Sequence, residues 1–372
     1  MKTISKITIP FLCALCLAAC STKSPKQTAA NGNRYAQGFE LIEHGQYTEA
    51  LIYNPWQDSL VMQRFYLLTD TTVTTPSDGT RLRIPITTIA TTSCTQIGFL
   101  SALNSLTALR GIASPQLVYT ALPDSNWIDL GDAMQPNLER IVLANPEVIF
   151  LTAYQDQDKL QASVANHCIT PIYINEWTEQ HPLARAEWIR FFGILLGKET
   201  QADSIFTAVC EAYNSISQHA QQELSKGATI LSGSNFRGTW YLPAANTYMG
   251  TLFADAGADY YYKDNPDTKS LPLSEEEVLL HFQDAQVWVG SNARSLNELA
   301  QIDHKHTLFR AYQDHQVYNF YKRTTPTGGN DFWESGVVHP ERILNDLIII
   351  CHPDAYNNQG SNNQLFYSEQ LQ

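Results

Sequence analysis

Residues 135–151 read QPNLERIVLANPEVIFL, which combines a helix start, a short helix and a buried strand. Asn137 is a suitable N-cap, and Glu139, two residues later, places an acid at the positive end of the helix dipole. The apolar run that follows Pro146 is typical of a strand buried in a parallel sheet. This order of elements predicts an α/β unit, and helix capping alone is one explanation of Glu139.

Residues 273–289, LSEEEVLLHFQDAQVWV, repeat that arrangement later in the chain. Ser274 is an N-cap, Glu277 completes a capping box, and a short apolar strand follows the helix. Counted from its cap, Glu276 occupies the same N2 position as Glu139. One matched acid on each α/β unit is what a docking surface for a partner would need.

Alternating strand and helix patterns extend outward from these two stretches. Strands are predicted at residues 84–93, 148–154, 169–174, 228–235, 287–290 and 317–321, and helices at 95–109, 157–165, 184–196, 201–224, 246–256, 275–282 and 341–351. We therefore predict an α/β fold with two Rossmann-like lobes of mainly parallel sheet, joined by one long helix. Residues 38–69 carry strand patterns with turn breaks, which predict an N-terminal β extension.

The chain starts with Lys2, Lys6, an apolar run and the residues Leu-Ala-Ala-Cys ending at Cys20. This pattern is typical of a secretory signal peptide, too short to span a membrane. Its end resembles the lipobox of bacterial lipoproteins, in which cleavage leaves the cysteine as a lipidated N-terminus. An ordinary signal peptide with an incidental cysteine is the alternative. We expect an extracytoplasmic protein that is anchored to a bacterial membrane, in the periplasm or at the cell surface, by lipid on Cys20.

The organisation of the chain follows from these patterns. We predict a signal peptide at residues 1–19, a spacer at 20–37, the β extension at 38–80, a first lobe at 81–182, connecting helices at 183–226 and a second lobe at 227–372. The formal net charge is −13, and it becomes more negative when Lys2 and Lys6 leave with the signal peptide. Such an acidic chain is not expected to bind nucleic acid.

The order of these motifs resembles the class III substrate-binding proteins of ABC importers, the cobalamin- and ferric-siderophore-binding family. The resemblance covers roughly residues 80–353 and rests on NLERI, HPLARAEWIRFFGILLG, DAGADYYY and PERILNDL, which occur in the family's order. In that family a glutamate on each lobe docks into arginine pockets of a permease dimer, and Glu139 and Glu276 match those positions. The resemblance implies a monomer that carries a chelate as cargo and has no cofactor.

Ligands of open α/β sheets bind beyond the carboxyl ends of the strands, so the loops at those ends are expected to line a cleft between the lobes. An aromatic wall with a few cations suits a large planar or anionic ligand, although burial in a lobe core is the alternative for each aromatic residue. The predicted cleft residues are Thr91, Thr92, Ser93, Tyr154 and Trp177 from the first lobe, and Arg237, Trp240, Tyr241, Asn292, Arg323 and Trp333 from the second.

The expected ligand is an iron chelate, either a ferric siderophore or haem. Cobalamin is the alternative. It ranks second because the cobalamin-binding branch often has tryptophans six residues before the two docking glutamates, whereas this chain has Ala133 and Ser270 there. An enzyme is not expected, since the chain lacks GxSxG, GxxxxGK[ST] and HExxH motifs.

Three further readings stay open at lower rank: a receptor for a bare metal ion, an extracytoplasmic enzyme, and a structural lipoprotein. The histidines show no metal-ligand spacing. Cys94, Cys168, Cys210 and Cys351 show no CxxC spacing, so they predict neither a zinc motif nor an evident disulfide framework.

Overall fold

The computed structural model describes residues 32–123, 127–153, 158–222, 224–356 and 364–372 of the 372-residue chain. Two predicted site residues, Cys20 and Tyr154, lie outside these described residues, as does the predicted signal peptide.

An N-terminal sheet precedes the α/β part of the chain. It consists of β1 (Phe39–Glu43), β2 (Thr48–Tyr53), β3 (Val61–Leu68) and β4 (Thr80–Arg83), in that order. The first three strands pair antiparallel, whereas β4 pairs parallel to β3. The predicted β strands between residues 38 and 69 are thus confirmed, and β4 is an additional strand.

The first lobe is built around a parallel five-stranded sheet. Its elements are β5 (Ile89–Thr91), α1 (Cys94–Ala102), β6 (Leu109–Ile112), β7 (Ile128–Asp129), α2 (Leu138–Ala144), β8 (Val148–Leu151), α3 (Asp158–Ala165) and β9 (Thr170–Tyr173). The strand order is β7-β6-β5-β8-β9, with every neighbouring pair parallel. Because the order reverses at β5, a crevice is expected between the carboxyl ends of β5 and β8.

Two consecutive helices connect the lobes, α4 (Pro182–Leu196) and α5 (Glu199–Gln222). Gly197, at φ 64°, ends α4 in the left-handed conformation that suits glycine, and α5 packs back along α4. The side chains of Trp188, Phe191 and Phe192 are fully buried, because α4 is covered on most of its sides. It packs against α1 of the first lobe and also reaches elements of the second.

The second lobe has two sheets. Its elements are β10 (Ile230–Ser232), β11 (Asn235–Phe236), β12 (Thr239–Pro243), α6 (Tyr248–Asp255), β13 (Ser270–Leu273), α7 (Glu275–Phe282), β14 (Val287–Val289), α8 (Leu296–Ile302), α9 (Arg310–Gln313), β15 (Val317–Asn319), α10 (Asp331–Glu334), α11 (Pro340–Cys351), α12 (Pro353–Tyr356) and β16 (Glu369–Gln370). The main sheet has the order β10-β14-β15-β16, in which only β16 is antiparallel, and β11-β12-β13 form a small antiparallel sheet.

Some predicted boundaries are wrong. The first strand starts at Ile89 rather than at residue 84, because the amide of Ile86 donates to the carbonyl of Leu195 at the end of α4 instead of joining the sheet. The predicted helix at residues 95–109 ends at Ala102, because Asn104 has φ 51°, which no α-helix continues. The residues that follow it enter β6 instead.

The strap, which we define as residues 34–38, fastens the chain to the start of α4 through two buried carboxylates. Glu187 accepts hydrogen bonds from the amides of Arg34, Tyr35 and Ala36, with N–O distances of 2.6–2.8 Å. Glu179 accepts from the amides of the next two strap residues and from the indole of Trp188. The strap is therefore held by α4 and the turn before it, and not by the N-terminal sheet alone.

We expect Glu187→Ala to free the strap. Each buried amide that loses its acceptor costs about 1–3 kcal/mol, so detachment of these residues into water becomes the state of lower free energy. Trypsin should then cut after Arg34 at least tenfold faster than in the wild type, which can be followed as the fragment that begins at Tyr35 by mass spectrometry. Glu211→Ala, an exposed change on α5, is the control. Equal cleavage rates in wild type and Glu187→Ala would show that this carboxylate does not hold the strap.

Candidate functional site: a crevice at the carboxyl edge of the first sheet

A cavity of about 250 Å³ lies at the carboxyl ends of the strands in the first lobe. Thr92 and Ser93 follow β5, Ser114 follows β6, and Thr152 follows β8, and all four line the cavity. The cavity thus occupies the crevice at which the strand order reverses, where open α/β sheets bind ligands.

The turn between β5 and α1 is rigid. The amides of Thr92 and Ser93 donate to the side-chain carbonyl of Gln96, at 2.9 and 3.2 Å, and Ser93 caps α1 in a capping box with that residue. The Thr92 hydroxyl donates to the Phe150 carbonyl on the neighbouring strand. The polar atoms at this end of the cavity are therefore fixed before any ligand arrives.

Glu176 and Trp177 close another side of the cavity. They belong to a short 3₁₀ helix, Glu176–Thr178, that comes after β9. The Glu176 side chain is buried, with the residue only 3% exposed, and it is hydrogen-bonded to the Thr95 side chain. Burial raises the pKa of the Glu176 carboxyl above its ordinary value. Trp177 is 39% exposed, so part of its ring is available to a ligand.

Arg185 stabilises the turn that carries these two residues. Its Nη2 donates to the Trp177 carbonyl at 2.9 Å and its Nε to the Glu179 carbonyl at 3.1 Å. Its guanidinium lies 3.9 Å from the centre of the Tyr248 ring in α6 of the second lobe. Arg185 therefore supports the cavity from behind and is not one of the residues that line it.

The cavity has an apolar rim and an acidic floor. Leu117, Met134 and Trp177 line it and are each more than a third exposed. Cys94 also lines it, but burial raises the pKa of its thiol to about 12, so this group is neutral at pH 7. No lysine, arginine or histidine occurs among the lining residues within the described part of the chain.

The second lobe contributes several of the predicted residues at its own strand ends. Asn292 lies in the loop after β14, and its backbone amide donates to the hydroxyl of Ser234 in the loop after β10. This hydrogen bond connects the two loops. Arg237, at the turn between β11 and β12, is exposed and lies against the ring of Phe236. Tyr241 and Trp333 are half-exposed. None of these residues lines the 250 Å³ cavity itself.

Arg323 is partly neutralised by Asp331, with an Nε–Oδ2 distance of 2.5 Å, and its guanidinium lies 5.2 Å from the centre of the Tyr119 ring in the first lobe. The lobes also meet through Glu334, which accepts hydrogen bonds from the amides of Tyr119 and Thr120 at 2.7 and 2.8 Å. Gly98 is required at this contact, because a Cβ there would lie 2.0 Å from the Glu334 carbonyl oxygen. The two lobes are thus joined along one side of the crevice.

Two predicted cleft residues are in the wrong place. Trp240 is fully buried in the second lobe, where its indole donates to the Ser232 carbonyl and its ring packs against Trp288, so it cannot face an open cleft. Thr91 is also fully buried, because it is the last residue of β5 inside the sheet. Glu176, which was not among the predicted cleft residues, lies three residues after the end of β9 and fits the same strand-end rule.

Glu139 and Glu276 occupy matching helix positions. Each is the second residue of its helix, α2 and α7 respectively, and each is exposed. Asn137 caps α2 by accepting from the Arg140 amide, and Ser274 caps α7 in a capping box. The predicted N2 positions are therefore confirmed, while the role of the two acids stays a prediction.

The described part of the chain also bears on metal sites, disulfides and membrane-spanning helices. Among the described residues no group of three histidine, cysteine, aspartate or glutamate side chains is arranged to hold a metal ion, and Cys94, Cys168, Cys210 and Cys351 are free. No helix in the described part of the chain is both long and apolar enough to cross a membrane.

Comparison with known proteins places this arrangement among solute-binding proteins. The sequence model for periplasmic binding proteins matches residues 89–324. Two uncharacterized lipoproteins of Methanocaldococcus jannaschii are similar: one is 25% identical over 77% of this chain and 70% of its own, the other 22% identical over 84% of each.

Solved structures share the fold at low sequence identity. An ABC transporter substrate-binding protein from Listeria monocytogenes has a TM-score of 0.53 at 15% identity, covering 73% of this chain and all of its own. A siderophore-binding protein from Vibrio cholerae, solved with Fe³⁺-Desferal, has a TM-score of 0.52 at 16% identity, covering 71% of this chain and 99% of its own. A Staphylococcus aureus protein complexed with heme has a TM-score of 0.51 at 16% identity, covering 71% of this chain and 98% of its own.

Proposed function

Because this chain belongs to the periplasmic binding protein family, we propose that it is the lipid-anchored substrate-binding component of an ABC importer, which captures an iron chelate and delivers it to the permease. The observation that carries the proposal is the cavity at the carboxyl ends of the first-lobe strands, where the strand order reverses. A protein of this kind binds its ligand between the lobes and does no chemistry on it.

The chemistry of the cavity favours a particular class of chelate. Its lining offers hydroxyl groups, apolar side chains and the buried Glu176 carboxyl, but no basic group among the described residues. Arg185 interacts with Glu176 from behind the cavity but does not line it, so an anionic ligand would contact the Glu176 carboxyl and no basic side chain. That contact is unfavourable in a partly dry site. A neutral or cationic iron chelate, such as a ferric hydroxamate, meets no such penalty.

Haem and cobalamin, two of the ligands expected from the sequence, differ in their charge. Haem carries two propionates, so the lining of this cavity disfavours it unless Arg237 or another exposed cation of the second lobe reaches those groups. A corrinoid has amide side chains that donate hydrogen bonds and no strong negative charge. Cobalamin therefore stays the second candidate, favoured by the same lack of basic lining residues.

The anchoring and delivery steps complete the proposal. The lipobox-like stretch before Cys20 and the similarity to proteins named lipoproteins support a lipid anchor outside the cytoplasm. Glu139 and Glu276 would meet basic residues of a permease dimer, one on each lobe, and the protein would act as a monomer.

Calorimetry with purified protein tests the ligand proposal. We expect 1:1 binding of ferric desferrioxamine B, a hydroxamate chelate with a cationic arm, and much weaker binding of haem and of a strongly anionic ferric tris-catecholate. Trp177→Ala should lower the affinity for the chelate about tenfold, because the chelate loses its contact with a partly exposed ring at the rim of the cavity. Trp56→Ala, which removes a similarly exposed tryptophan that does not line the cavity, should leave the affinity unchanged. If ferric hydroxamate, haem, tris-catecholate and cobalamin all fail to bind, the transport function loses its support.

A further inference from the structure

Two leucines stand out on the surface of the described chain. Leu143 in α2 is 71% exposed and Leu280 in α7 is 77% exposed, which makes them the two most exposed large apolar side chains among the described residues. A single exposed leucine is ordinary and needs no explanation. These two, however, occupy the same place on two different helices.

Both leucines are the sixth residue of their helix, four residues after Glu139 and Glu276 respectively. Residues four apart lie on the same face of a helix, so each leucine projects beside its glutamate. The fourth residue of each helix, Ile141 in α2 and Val278 in α7, is fully buried and points to the core on the opposite side. The two helices therefore present a similar outward face, a carboxylate with a leucine next to it, and Glu276 also contacts Lys305 at 3.5 Å.

The two faces also occupy equivalent positions in the lobes. Helix α2 leads into β8, which pairs with β5, the first strand of its sheet, and α7 leads into β14, which pairs with β10, the first strand of the other sheet. In each lobe the helix runs antiparallel to the strand that follows it, so each glutamate is expected near the carboxyl edge of its own sheet. One surface pattern is thus present twice, once in each lobe.

We propose that Leu143 and Leu280 are contact residues for the permease, each placed to fill an apolar recess beside the basic residue that receives the neighbouring glutamate. This inference rests on the proposed function and adds to it an apolar half of the docking surface. A partner that binds two copies of one pattern must itself repeat its surface, which fits a dimeric membrane protein and not a single asymmetric domain. Because each leucine stands beside a glutamate, the permease surface next to the apolar recess must carry a positive charge.

The physical reason for the pairing is desolvation. A carboxylate that meets an arginine in open water gains little, because solvent and salt screen the attraction. A leucine packed beside the pair excludes water from one side, which strengthens the interaction and adds buried apolar area. Two such patches would act together, since both are carried by one chain whose lobes contact each other.

The test is uptake of radioactive iron, supplied as ferric desferrioxamine B, by host cells that carry each variant in place of the wild-type gene. Leu143→Gln and Leu280→Gln should each lower uptake at limiting chelate about tenfold, and the double variant further. Glutamine keeps the length and nearly the helix propensity of leucine, so the melting temperature and the affinity for the chelate should stay at wild-type values. Leu143→Met/Leu280→Met, which keeps the apolar area, should retain uptake.

Leu60→Gln is the matched control, because Leu60 is an exposed leucine in the loop between β2 and β3 of the N-terminal sheet and belongs to neither helix. It should leave uptake unchanged. Full uptake by Leu143→Gln/Leu280→Gln in cells where the glutamate reversals stop transport would overturn the inference and leave the proposed function standing. A wild-type protein that dimerises in sedimentation, with a monomeric double variant that still transports, would also overturn it, by assigning the leucines to self-association.

Discussion

Replacing Glu139 and Glu276 together by lysine should stop uptake of the chelate while the protein still folds and still binds its ligand. The two side chains are exposed at the starts of equivalent helices, one in each lobe, so a partner that contacts both lobes could bind both. Reversal places like charges in contact with the basic residues expected on the permease, which opposes association more strongly than removal of the acid does. We expect uptake to fall at least tenfold in the double variant and less in each single variant.

The folded state should tolerate these changes. Asn137 and Ser274 keep their capping hydrogen bonds, so the melting temperature should fall by only about 2 °C, although Glu276→Lys also loses its contact with Lys305. Glu43→Lys/Glu211→Lys, at exposed acids of β1 and α5, produces the same change of net charge and should transport normally. Normal uptake by the Glu139→Lys/Glu276→Lys protein would leave both glutamates with a capping role only.

Loss of the proposed lipid anchor should release most of the protein from the membrane. We expect a chain with Cys20→Ala, exported by a signal peptide that ordinary signal peptidase removes, to leave the membrane fraction almost completely. The remaining chain is acidic and offers no polybasic segment to hold it on anionic lipid. The measurement is the distribution of the protein between membrane and soluble fractions after a salt wash.

A control separates anchoring from export. The same exchanged signal peptide on a chain that keeps Cys20 within its own Leu-Ala-Ala-Cys stretch should restore the protein to the membrane, because the lipid and not the signal peptide holds it. Recovery of the Cys20→Ala protein with the membranes would contradict the lipoprotein assignment, and it would point to a protein contact as the anchor.

The sequence predicts the long and well-capped elements of the fold better than the short ones. Helix α7 is predicted with its observed bounds, because Ser274 and Glu277 mark its start and the apolar period continues to Phe282. Strands β6 and β7 are missed, since they have only four and two residues and carry no alternation long enough to detect. Their positions are fixed by pairing with neighbouring strands, which no local pattern reports.

The candidate site shows the same division. The strand-end rule brings Thr92, Ser93 and Trp177 to one cavity, because the topology of a parallel sheet gathers its carboxyl ends at one edge. It misplaces Trp240, because a tryptophan at a strand end can face the crevice or the core, and only the packing against Trp288 decides between them. The acidic floor of the cavity depends on the burial of Glu176, which arises from tertiary contacts that the sequence does not record.

The strap determines where a mechanical load enters the protein. Cys20 precedes Arg34 by fourteen residues, so the segment between the proposed lipid anchor and the strap can span at most about 50 Å. Any tension in that segment passes through Glu187 and Glu179 into the region of α4, which touches elements of both lobes. Because α4 contacts elements of both lobes, we expect tension from the membrane to act on the two lobes together and neither to open nor to close the crevice.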